Sequence, residues 1–303
     1  MAYFLSGVVL DSAGLPAERT VRAYLRSTGA LVAASTSSQA DGAFAIEVAD
    51  GSAAYTVICL DELAGARNAQ VLDRIVPVEG APTDPHFSSV DLLLHLDGAH
   101  GSTAFPDSSP HGLAVSANGT PSISTAHGVS GGASMLLNGA SSLRLPGGVG
   151  VHYPSGDFTL ECMIRPASVS SSQAIFWKST ATGLYQWLVQ ITVAGKLGAR
   201  CFDAGSNLVV DIASADSLVA GGWQHIAFTR SGPIFRLFID GVLQASSSFS
   251  GGLRGADEPV GIGASESNAA ALVAGSFLDE VRFTGGVARY TDTFVPAVPF
   301  PSA

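Results

Sequence analysis

The stretch Phe235–Ser246, "FRLFIDGVLQAS", carries two signals for antiparallel β-structure. Phe235, Leu237 and Ile239 alternate with polar or outward residues, and side chains two apart on a strand share a face. The Asp-Gly pair at 240–241 then separates this run from "VLQAS", and Asp-Gly between two such runs favours a two-residue hairpin. The stretch therefore predicts a β-hairpin with one apolar face to bury against a second layer.

The same alternation recurs along the chain. In Phe158–Pro166, "FTLECMIRP", every second residue from Phe158 to Ile164 is apolar, and in Thr20–Gly29, "TVRAYLRSTG", Val21, Ala23 and Leu25 form a similar row. Helical periodicity is almost absent, and Gly, Asp, Asn, Ser and Pro separate the runs. The sequence therefore predicts an all-β protein built from sandwiches.

The composition excludes some partners. With 15 Lys and Arg against 25 Asp and Glu, the net charge is −10, so the chain has no general attraction for phosphate backbones or anionic bilayers. We expect neither nucleic acid binding nor membrane insertion. Only 13% of residues are charged, against about a quarter in average proteins. Such a surface suits a protein covered by neighbours in an assembly, and it equally suits an ordinary Ala-rich β-protein.

The start of the chain and its cysteines indicate the cellular compartment in which the protein is made. The opening "MAYFLSGVVLDSAG" alternates like a strand and lacks the basic region of a signal peptide. We therefore expect synthesis in a cytoplasm without export. Cys59, Cys162 and Cys201 are odd in number and far apart, which predicts buried thiols rather than a disulfide or zinc framework.

Turn-forming residues mark a domain boundary. Roughly seven strand-like runs end near residue 78, and "EGAPTDPHFSS" at 79–89 then loses all periodicity. We predict a small β-sandwich at residues 1–80, a linker at 81–90 and a second domain at 91–303.

The first domain carries "SGVV", "GLPAERTVRAY", "TG" and "DGAFAI" in that order. In these features it resembles the carboxypeptidase regulatory-like, transthyretin-like β-sandwich modules. The resemblance implies a spacer or docking unit without catalytic residues.

The second domain carries five longer blocks: "DLLLHLDGAHGSTAFPDSS", "SISTAHGVSGGASMLLNGASSLRLP", "GDFTLECMIRP", "GGWQHIAFTRSGPIFRLFIDGVLQAS" and "LDEVRFTGGVARYTDTFVPAVPFP". They resemble, in order, the laminin-G-like, concanavalin A-like jelly roll in the versions found in tailed-bacteriophage virion proteins. The resemblance implies a two-sheet jelly roll that binds ligands through rim loops.

Asp279 lies in "GSFLDEVRFTGG" between apolar residues. By alternation it shares a face with Phe277, Val281 and Phe283, where a carboxylate is costly unless it is neutralised or hydrogen-bonded. The resemblance implies that an aspartate here helps to hold a structural calcium ion, with Asp97 and Asp107 as the candidate co-ligands. The alternative is that Asp279 accepts backbone amide hydrogen bonds and holds no ion.

Catalysis is not indicated. Retaining glycosidases need two carboxylates roughly 5 Å apart, and the jelly-roll glucanase string Glu-x-Asp-x-x-Glu is absent; Glu161 is the only glutamate on its strand. The formal G-x-S-x-G at Gly128–Gly132, "GVSGG", is followed by no helical pattern, so we interpret it as a turn. We predict that the protein is not an enzyme.

Aromatic residues supply the candidates for glycan contact. Tyr153 and Trp177 lie near turns, and we predict that they form an exposed platform for a sugar ring. Tyr185, Trp187 and Trp223 lie in strand-like runs, where core packing is the favoured role over sugar stacking.

Together these features predict a non-enzymatic structural protein on the surface of a bacteriophage particle. Tail-associated adhesion, as in a tail fiber, and capsid decoration both fit. The expected partners are other virion proteins, a host-surface glycan bound by the lectin-like jelly roll, and further copies in a homo-oligomer. The alternatives are a glycan-active jelly-roll hydrolase with atypical catalytic residues and a bacterial surface adhesin module.

Overall fold

Antiparallel strand pairing organises the described chain. The computed structural model describes residues 3–9, 17–37, 43–60, 70–75, 78–79, 84–148, 150–179, 185–255, 258–264 and 270–302. Contacts divide the chain into two compact units, Met1–Asp84 and Pro85–Ser302. The predicted all-β class is confirmed. Within the described ranges the helical element is a 3-10 turn at Phe87–Ser89, and no helix there is long and apolar enough to cross a membrane.

The first unit consists of two sheets. Its described strands are β1 (Tyr3–Val8), β2 (Thr20–Leu25), β3 (Ala30–Thr36), β4 (Ala43–Val48), β5 (Tyr55–Leu60), β6 (Gln70–Ile75) and β7 (Val78–Glu79). One sheet has the order β4-β1-β7 and the other β3-β2-β5-β6. Val21 and Ala23 of β2 are buried, while Arg22 and Tyr24 are only half-buried, as a period of two predicts. The buried apolar cluster of this unit comprises Leu5, Val9, Ala17, Val21, Ala23, Phe44, Ile46, Val48, Tyr55 and Val57.

The second unit contains the longer strands. They are β8 (Val90–Leu94), β9 (Ser116–Asn118), β10 (Ser122–Ser124), β11 (Ser134–Leu137), β12 (Ser142–Leu145), β13 (Phe158–Arg165), β14 (Gln173–Ser179), β15 (Tyr185–Ile191), β16 (Lys196–Phe202), β17 (Leu208–Ser217), β18 (Gln224–Ser231), β19 (Ile234–Ile239), β20 (Val242–Ser248), β21 (Val260–Ile262) and β22 (Ser276–Gly285). Sheet I has the order β10-β11-β22-β13-β18-β19-β20, with β8 also paired to β22. Sheet II has the order β17-β16-β15-β14-β21-β12-β9.

The apolar rows predicted from alternation meet in one core between these two sheets. Phe158 and Leu160 of β13 and Phe235 and Leu237 of β19 belong to it, together with Trp187 of β15 from the opposite sheet. Each of these five side chains is fully buried. The predicted hairpin is also confirmed, because β19 and β20 pair across Asp240 and Gly241.

None of the three cysteines, all of which lie in described ranges, forms a disulfide. Cys162 and Cys201 are buried, as predicted, whereas Cys59 is only half-buried. Burial raises the pKa of the Cys201 and Cys162 thiols, so neither thiol is activated as a nucleophile.

A β-bulge in β22 changes which residues face the core. Glu161 of β13 lies opposite Arg282, but Met163 lies opposite Asp279, so β22 has one extra residue in this interval. Glu280 there has a φ of 48°, and an extra residue in this conformation reverses the alternation of the strand. The predicted row of Phe277, Val281 and Phe283 around Asp279 is therefore wrong. The core residues of β22 are Leu278, Val281 and Phe283, while Phe277 lies outside the core cluster.

Residues 286–302, the C-terminal segment, cross the outer face of sheet I. Thr159 and Thr229, which alternate with core residues, donate hydrogen bonds to the carbonyl oxygens of Val287 and Tyr290 at 3.0 and 3.1 Å. Both threonines are fully buried. The segment therefore removes this face of sheet I from solvent.

Candidate functional site

Asp279 is held by backbone amides. Its Oδ2 accepts hydrogen bonds from the N–H groups of Val129 and Ser130 at 2.8 and 3.4 Å, and its Oδ1 accepts one from Glu280 at 3.0 Å. The "GVSGG" segment, which forms a turn as predicted, therefore docks on this carboxyl group. Burial raises the pKa of Asp279 to about 7, against the lowering effect of the Val129 amide, and the nearby Glu280 carboxylate adds to the rise.

The other two proposed calcium ligands lie in different settings. The Asp97 carboxylate lies against Gly131 in the same turn. Asp107 instead braces its own loop: Oδ1 accepts the Leu93 amide at 2.9 Å and Oδ2 accepts the Leu113 amide at 2.7 Å, with further bonds from Ser109. Each of these hydrogen bonds joins Asp107 to residues 93, 109 or 113 rather than to the turn that docks on Asp279. Among the described residues, no group of three or more His, Cys, Asp or Glu side chains is arranged to hold a metal ion.

Calcium binding stays a prediction with a direct test. Calcium takes six to eight oxygen ligands, so an ion at Asp279 would have to compete with three amide donors for the two carboxylate oxygens. Titration calorimetry with calcium after chelation, combined with a melting curve, measures this binding. Absence of heat together with an unchanged melting temperature would contradict it.

Tyr153 is not an exposed platform, so this prediction of exposure is wrong. Its ring is 4% exposed and is stacked on Phe158 with centroids 5.3 Å apart. Its hydroxyl donates to Asp91 Oδ2 at 2.7 Å, and burial raises the pKa of Tyr153. A turn in the sequence led to the prediction of exposure, but Tyr153 belongs to the buried core cluster.

Trp177, the other predicted platform residue, lies on the outer face of sheet II and is half-buried. Trp177 pairs with Leu188 on the neighbouring strand. Leu188 pairs in turn with Arg200, and Arg200 pairs with Asp211. Residues paired in this way on neighbouring strands share a face of the sheet. They form one row across β14, β15, β16 and β17.

Two further aromatic rings extend this row. The Tyr185 ring lies edge-on to Trp177 with centroids 5.5 Å apart and edge-on to Phe202 at 4.8 Å. Both Tyr185 and Phe202 are half-buried. We call Trp177, Tyr185, Phe202, Arg200 and Asp211 the aromatic face.

The aromatic face also has fixed polar groups. Arg200 Nε donates to Asp211 Oδ1 at 2.9 Å, and the two side chains are 42% and 49% exposed. The hydrogen bond to Asp211 raises the pKa of Arg200, and Tyr185 contributes to the rise. Half-buried rings beside a positioned guanidinium and carboxylate are suited to a ligand with both apolar faces and hydroxyl groups.

The sequence predicted only one residue of this face. Tyr185 was expected to pack in the core with Trp187, and Phe202, Arg200 and Asp211 were not singled out. Trp187 does lie in the core. The β14–β15 pairing is irregular between Lys178 and Ser179, beside Tyr185, and the β16–β17 pairing is irregular at Phe202. Trp223 is half-buried beside Phe277.

Comparison with known proteins identifies the fold family of the second unit. Residues 137–288, half of the chain, match Laminin_G_3, the concanavalin A-like lectin/glucanases superfamily. The chain belongs to this superfamily. A search of curated proteins returns no match.

Solved structures show the same concanavalin-like fold. The receptor binding domain of botulinum neurotoxin D matches with a TM-score of 0.52 and 12% identity over 67% of this chain and 50% of that chain. The binding domain of botulinum neurotoxin serotype G matches with a TM-score of 0.51 and 14% identity over 66% and 48%. This chain thus spans about half the length of those solved chains, and at such identities the likeness shows the fold alone.

Glycoside hydrolysis depends on catalytic carboxylates, so the environment of the Glu161 carboxylate is relevant to a glucanase activity. Glu161 is fully buried on the outer side of sheet I. Its Oε1 accepts a hydrogen bond from Arg282 Nε at 2.9 Å, and its Oε2 accepts one from the Tyr290 hydroxyl at 2.9 Å and lies 3.0 Å from His225 Nε2. Although burial alone would raise it, the pKa of Glu161 is held at about 2 by Arg282 and His225. With a pKa of about 2, this buried carboxylate is ionised near neutral pH, whereas a general acid must carry a proton.

Proposed function

We propose that the jelly roll is a carbohydrate-binding module and that it contacts its ligand through the aromatic face. The observation that carries the proposal is the row from Trp177 to Asp211, flanked by Tyr185 and Phe202, on the outer side of sheet II. The lectin membership of the superfamily supports it. The receptor binding role named for the neurotoxin domains is of the same kind.

The chemistry of the face suits a sugar ring. A pyranose has an apolar side of C–H groups that stacks on aromatic rings, and an edge of hydroxyl groups that needs donors and acceptors. Trp177 and Phe202 supply the rings, Arg200 supplies donors, and Asp211 supplies acceptors. Because Arg200 and Asp211 already hold each other in place, little side-chain entropy is lost when a sugar binds.

Single substitutions on the aromatic face test the proposal. We expect Trp177→Ala to weaken retention of the full chain on host-surface polysaccharide in affinity electrophoresis by roughly tenfold, since a ring contact contributes about 1 kcal/mol beyond its area. Trp223→Ala is the matched control, because Trp223 is also half-buried but belongs to a different part of the unit. Equal losses in both variants, or none in either, would contradict the proposed face.

The proposal includes a non-catalytic role on the surface of a bacteriophage particle. Support for that setting comes from the phage-like sequence blocks and from the low share of charged residues, 13%. In this setting the first unit is a transthyretin-like docking module that binds other virion proteins, and the chain forms a symmetric homo-oligomer. Electron microscopy of purified particles labelled with an antibody to this chain tests it: capsid-lattice copy number indicates decoration, and tail stoichiometry indicates adhesion.

A glycan hydrolase is the second candidate, because the superfamily also contains glucanases. Reducing-sugar release from the polysaccharide that the protein retains separates the two functions. We expect retention without release at high protein concentration. Release that survives Glu161→Gln would indicate a hydrolase with an atypical carboxylate pair.

A further inference from the structure

The jelly roll also has a cavity, and none of the residues that line it belongs to the aromatic face. Three loop segments line it, at residues 155–156, 232–233 and 250–252, together with Arg230, and its volume is about 380 Å³. Sites for small molecules span about 300 to 1,000 Å³. The loop lining consists of Gly, Ser and Pro, so backbone and small hydroxyl side chains surround the space.

Arg230 is the charged residue of this cavity. It lies near the end of β18, paired with Phe158 of β13 and Phe235 of β19, and it is 4% exposed. Its guanidinium carbon is 5.0 Å from the centre of the Phe235 ring. Two of its nitrogens donate to backbone: Nε to the Gly232 carbonyl at 3.0 Å and Nη2 to the Gly251 carbonyl at 2.9 Å.

Among the described residues, no carboxylate forms an ion pair with Arg230. Its third nitrogen, Nη1, is buried and has no hydrogen-bond partner within the described part of the chain. Asp157 interacts electrostatically with the Arg230 charge, and its Oδ1 accepts a hydrogen bond from the Gly232 amide at 2.7 Å. A buried cation without a paired anion is costly, as is a buried N–H group without an acceptor. Burial accordingly lowers the pKa of Arg230.

A ligand that supplies a negative charge would offset the free-energy cost of burying the Arg230 guanidinium. Guanidinium groups bind carboxylates through parallel hydrogen bonds of high strength. The two loop carbonyls that accept from Nε and Nη2 orient the guanidinium plane, so the group is in place before a ligand arrives. On a chain with a net charge of −10, a cavity built around a cation is a local exception that favours an anionic ligand.

We propose that this cavity, the Arg230 pocket, binds a carboxylate-bearing ligand of monosaccharide size, with an acidic sugar as the ligand class. Arg230 binds the carboxylate, and the exposed Ser155 and Ser250 at the rim offer hydroxyl groups to the rest of the ligand. The pocket shares no lining residue with the aromatic face, so its test does not depend on the function proposed above.

The test compares D-glucuronate with D-glucose, which differ at one carboxylate. We expect ¹H–¹⁵N NMR of the full chain to show shifts at residues 155–156, 232 and 251–252 with glucuronate, and a dissociation constant at least tenfold lower than for glucose. Acetate identifies the recognised part: binding as tight as that of glucuronate means that the carboxylate alone is recognised, and weaker binding means that the sugar ring is recognised as well. Either result supports the anion site.

Two variants are used, because a substitution at the buried Arg230 can also affect folding whereas one at the exposed Ser250 tests the pocket itself. Arg230→Gln removes the charge, and Ser250→Tyr adds bulk at an exposed position of the pocket lining while Arg230 itself is retained. Ser246→Tyr on β20 is the matched control, because Ser246 is exposed and does not line the cavity. We expect both pocket variants to weaken glucuronate binding by tenfold or more and the control to bind normally. Equal affinity for glucuronate and glucose, or undiminished glucuronate binding in Ser250→Tyr, would overturn the proposal, whatever the outcome for the aromatic face.

Discussion

Replacing Glu161 by alanine is expected to destabilise the jelly roll by about 3–5 kcal/mol, the usual cost of removing one partner from a buried ion pair. Glu161 is the common acceptor for Arg282 and Tyr290 and lies within hydrogen-bond distance of His225. Tyr290 belongs to the C-terminal segment, and the Arg282 guanidinium is also 4.0 Å from the centre of the ring of Phe300 in the same segment. The alanine variant leaves Arg282 buried without its carboxylate.

Urea unfolding followed by tryptophan fluorescence measures this loss. All three tryptophans lie in the second unit, so the signal reports on the jelly roll in the full chain. Asp211→Ala is the control: it breaks an ion pair whose side chains are 42% and 49% exposed, and such pairs contribute at most about 1 kcal/mol. A double variant, Glu161→Leu with Arg282→Met, should recover part of the loss. Simple additivity of the single losses would contradict coupling through the buried network.

The same network predicts acid sensitivity. The pKa of Glu161 is about 2 in the folded protein against 4.5 ordinarily. Because the folded pKa is depressed, its stabilisation is fully present above about pH 5 and is lost as the pH falls towards 2, on the order of 3 kcal/mol in total. The pKa of Asp279 is raised to about 7, so its effect is opposite: between about pH 4 and 7 stability falls as the pH rises. Glu161→Gln should abolish only the acid limb of the stability curve.

Gly241→Ala is expected to destabilise the jelly roll by about 2–5 kcal/mol. Gly241 has a φ of 74°, and Asp240 before it has a φ of 49°, so the hairpin turn uses left-handed backbone at both positions. A side chain there costs about 1–2 kcal/mol in strain. The new Cβ atom would also overlap the carbonyl oxygen of Phe294, which adds about 1–3 kcal/mol for overpacking.

The overpacking against Phe294 arises because the C-terminal segment is attached to this hairpin. The Phe294 amide donates to the Gly241 carbonyl at 2.9 Å, and the Phe294 ring is stacked on Tyr290, which in turn bonds to Glu161. Gly286→Ala is the matched control, since Gly286 has a φ of 72° but no heavy atom within 4 Å of an added Cβ. It should cost only the strain of about 1–2 kcal/mol. The rate of hydrogen exchange at residues 286–302 should rise in Gly241→Ala but not in Gly286→Ala. Equal stability of the two variants would contradict a cost from the contact with Phe294.

The placement of the candidate site could be predicted only in part. Trp177 was predicted as an exposed glycan contact from its position near a turn, and it lies half-buried on the outer face of sheet II. Tyr153, chosen for the same reason, is buried against Phe158. Nearness to a turn does not specify whether a side chain points outward, because this depends on how the loop packs. Arg230 carried no signal at all, since an arginine at the end of a strand is ordinarily exposed.

The sequence by itself determined the all-β class, the hairpin at Asp240 and Gly241 and the apolar rows of β13 and β19. These features are local: alternation with a period of two and the left-handed preference of Asp-Gly act over a few residues. Only the tertiary structure decided that a bulge at Glu280 turns Asp279 away from the core, that Tyr185 meets Phe202, and that the C-terminal segment covers Glu161. Each of these depends on register and packing between segments distant in sequence, and residue patterns within one strand contain no information on which partner strand lies opposite them.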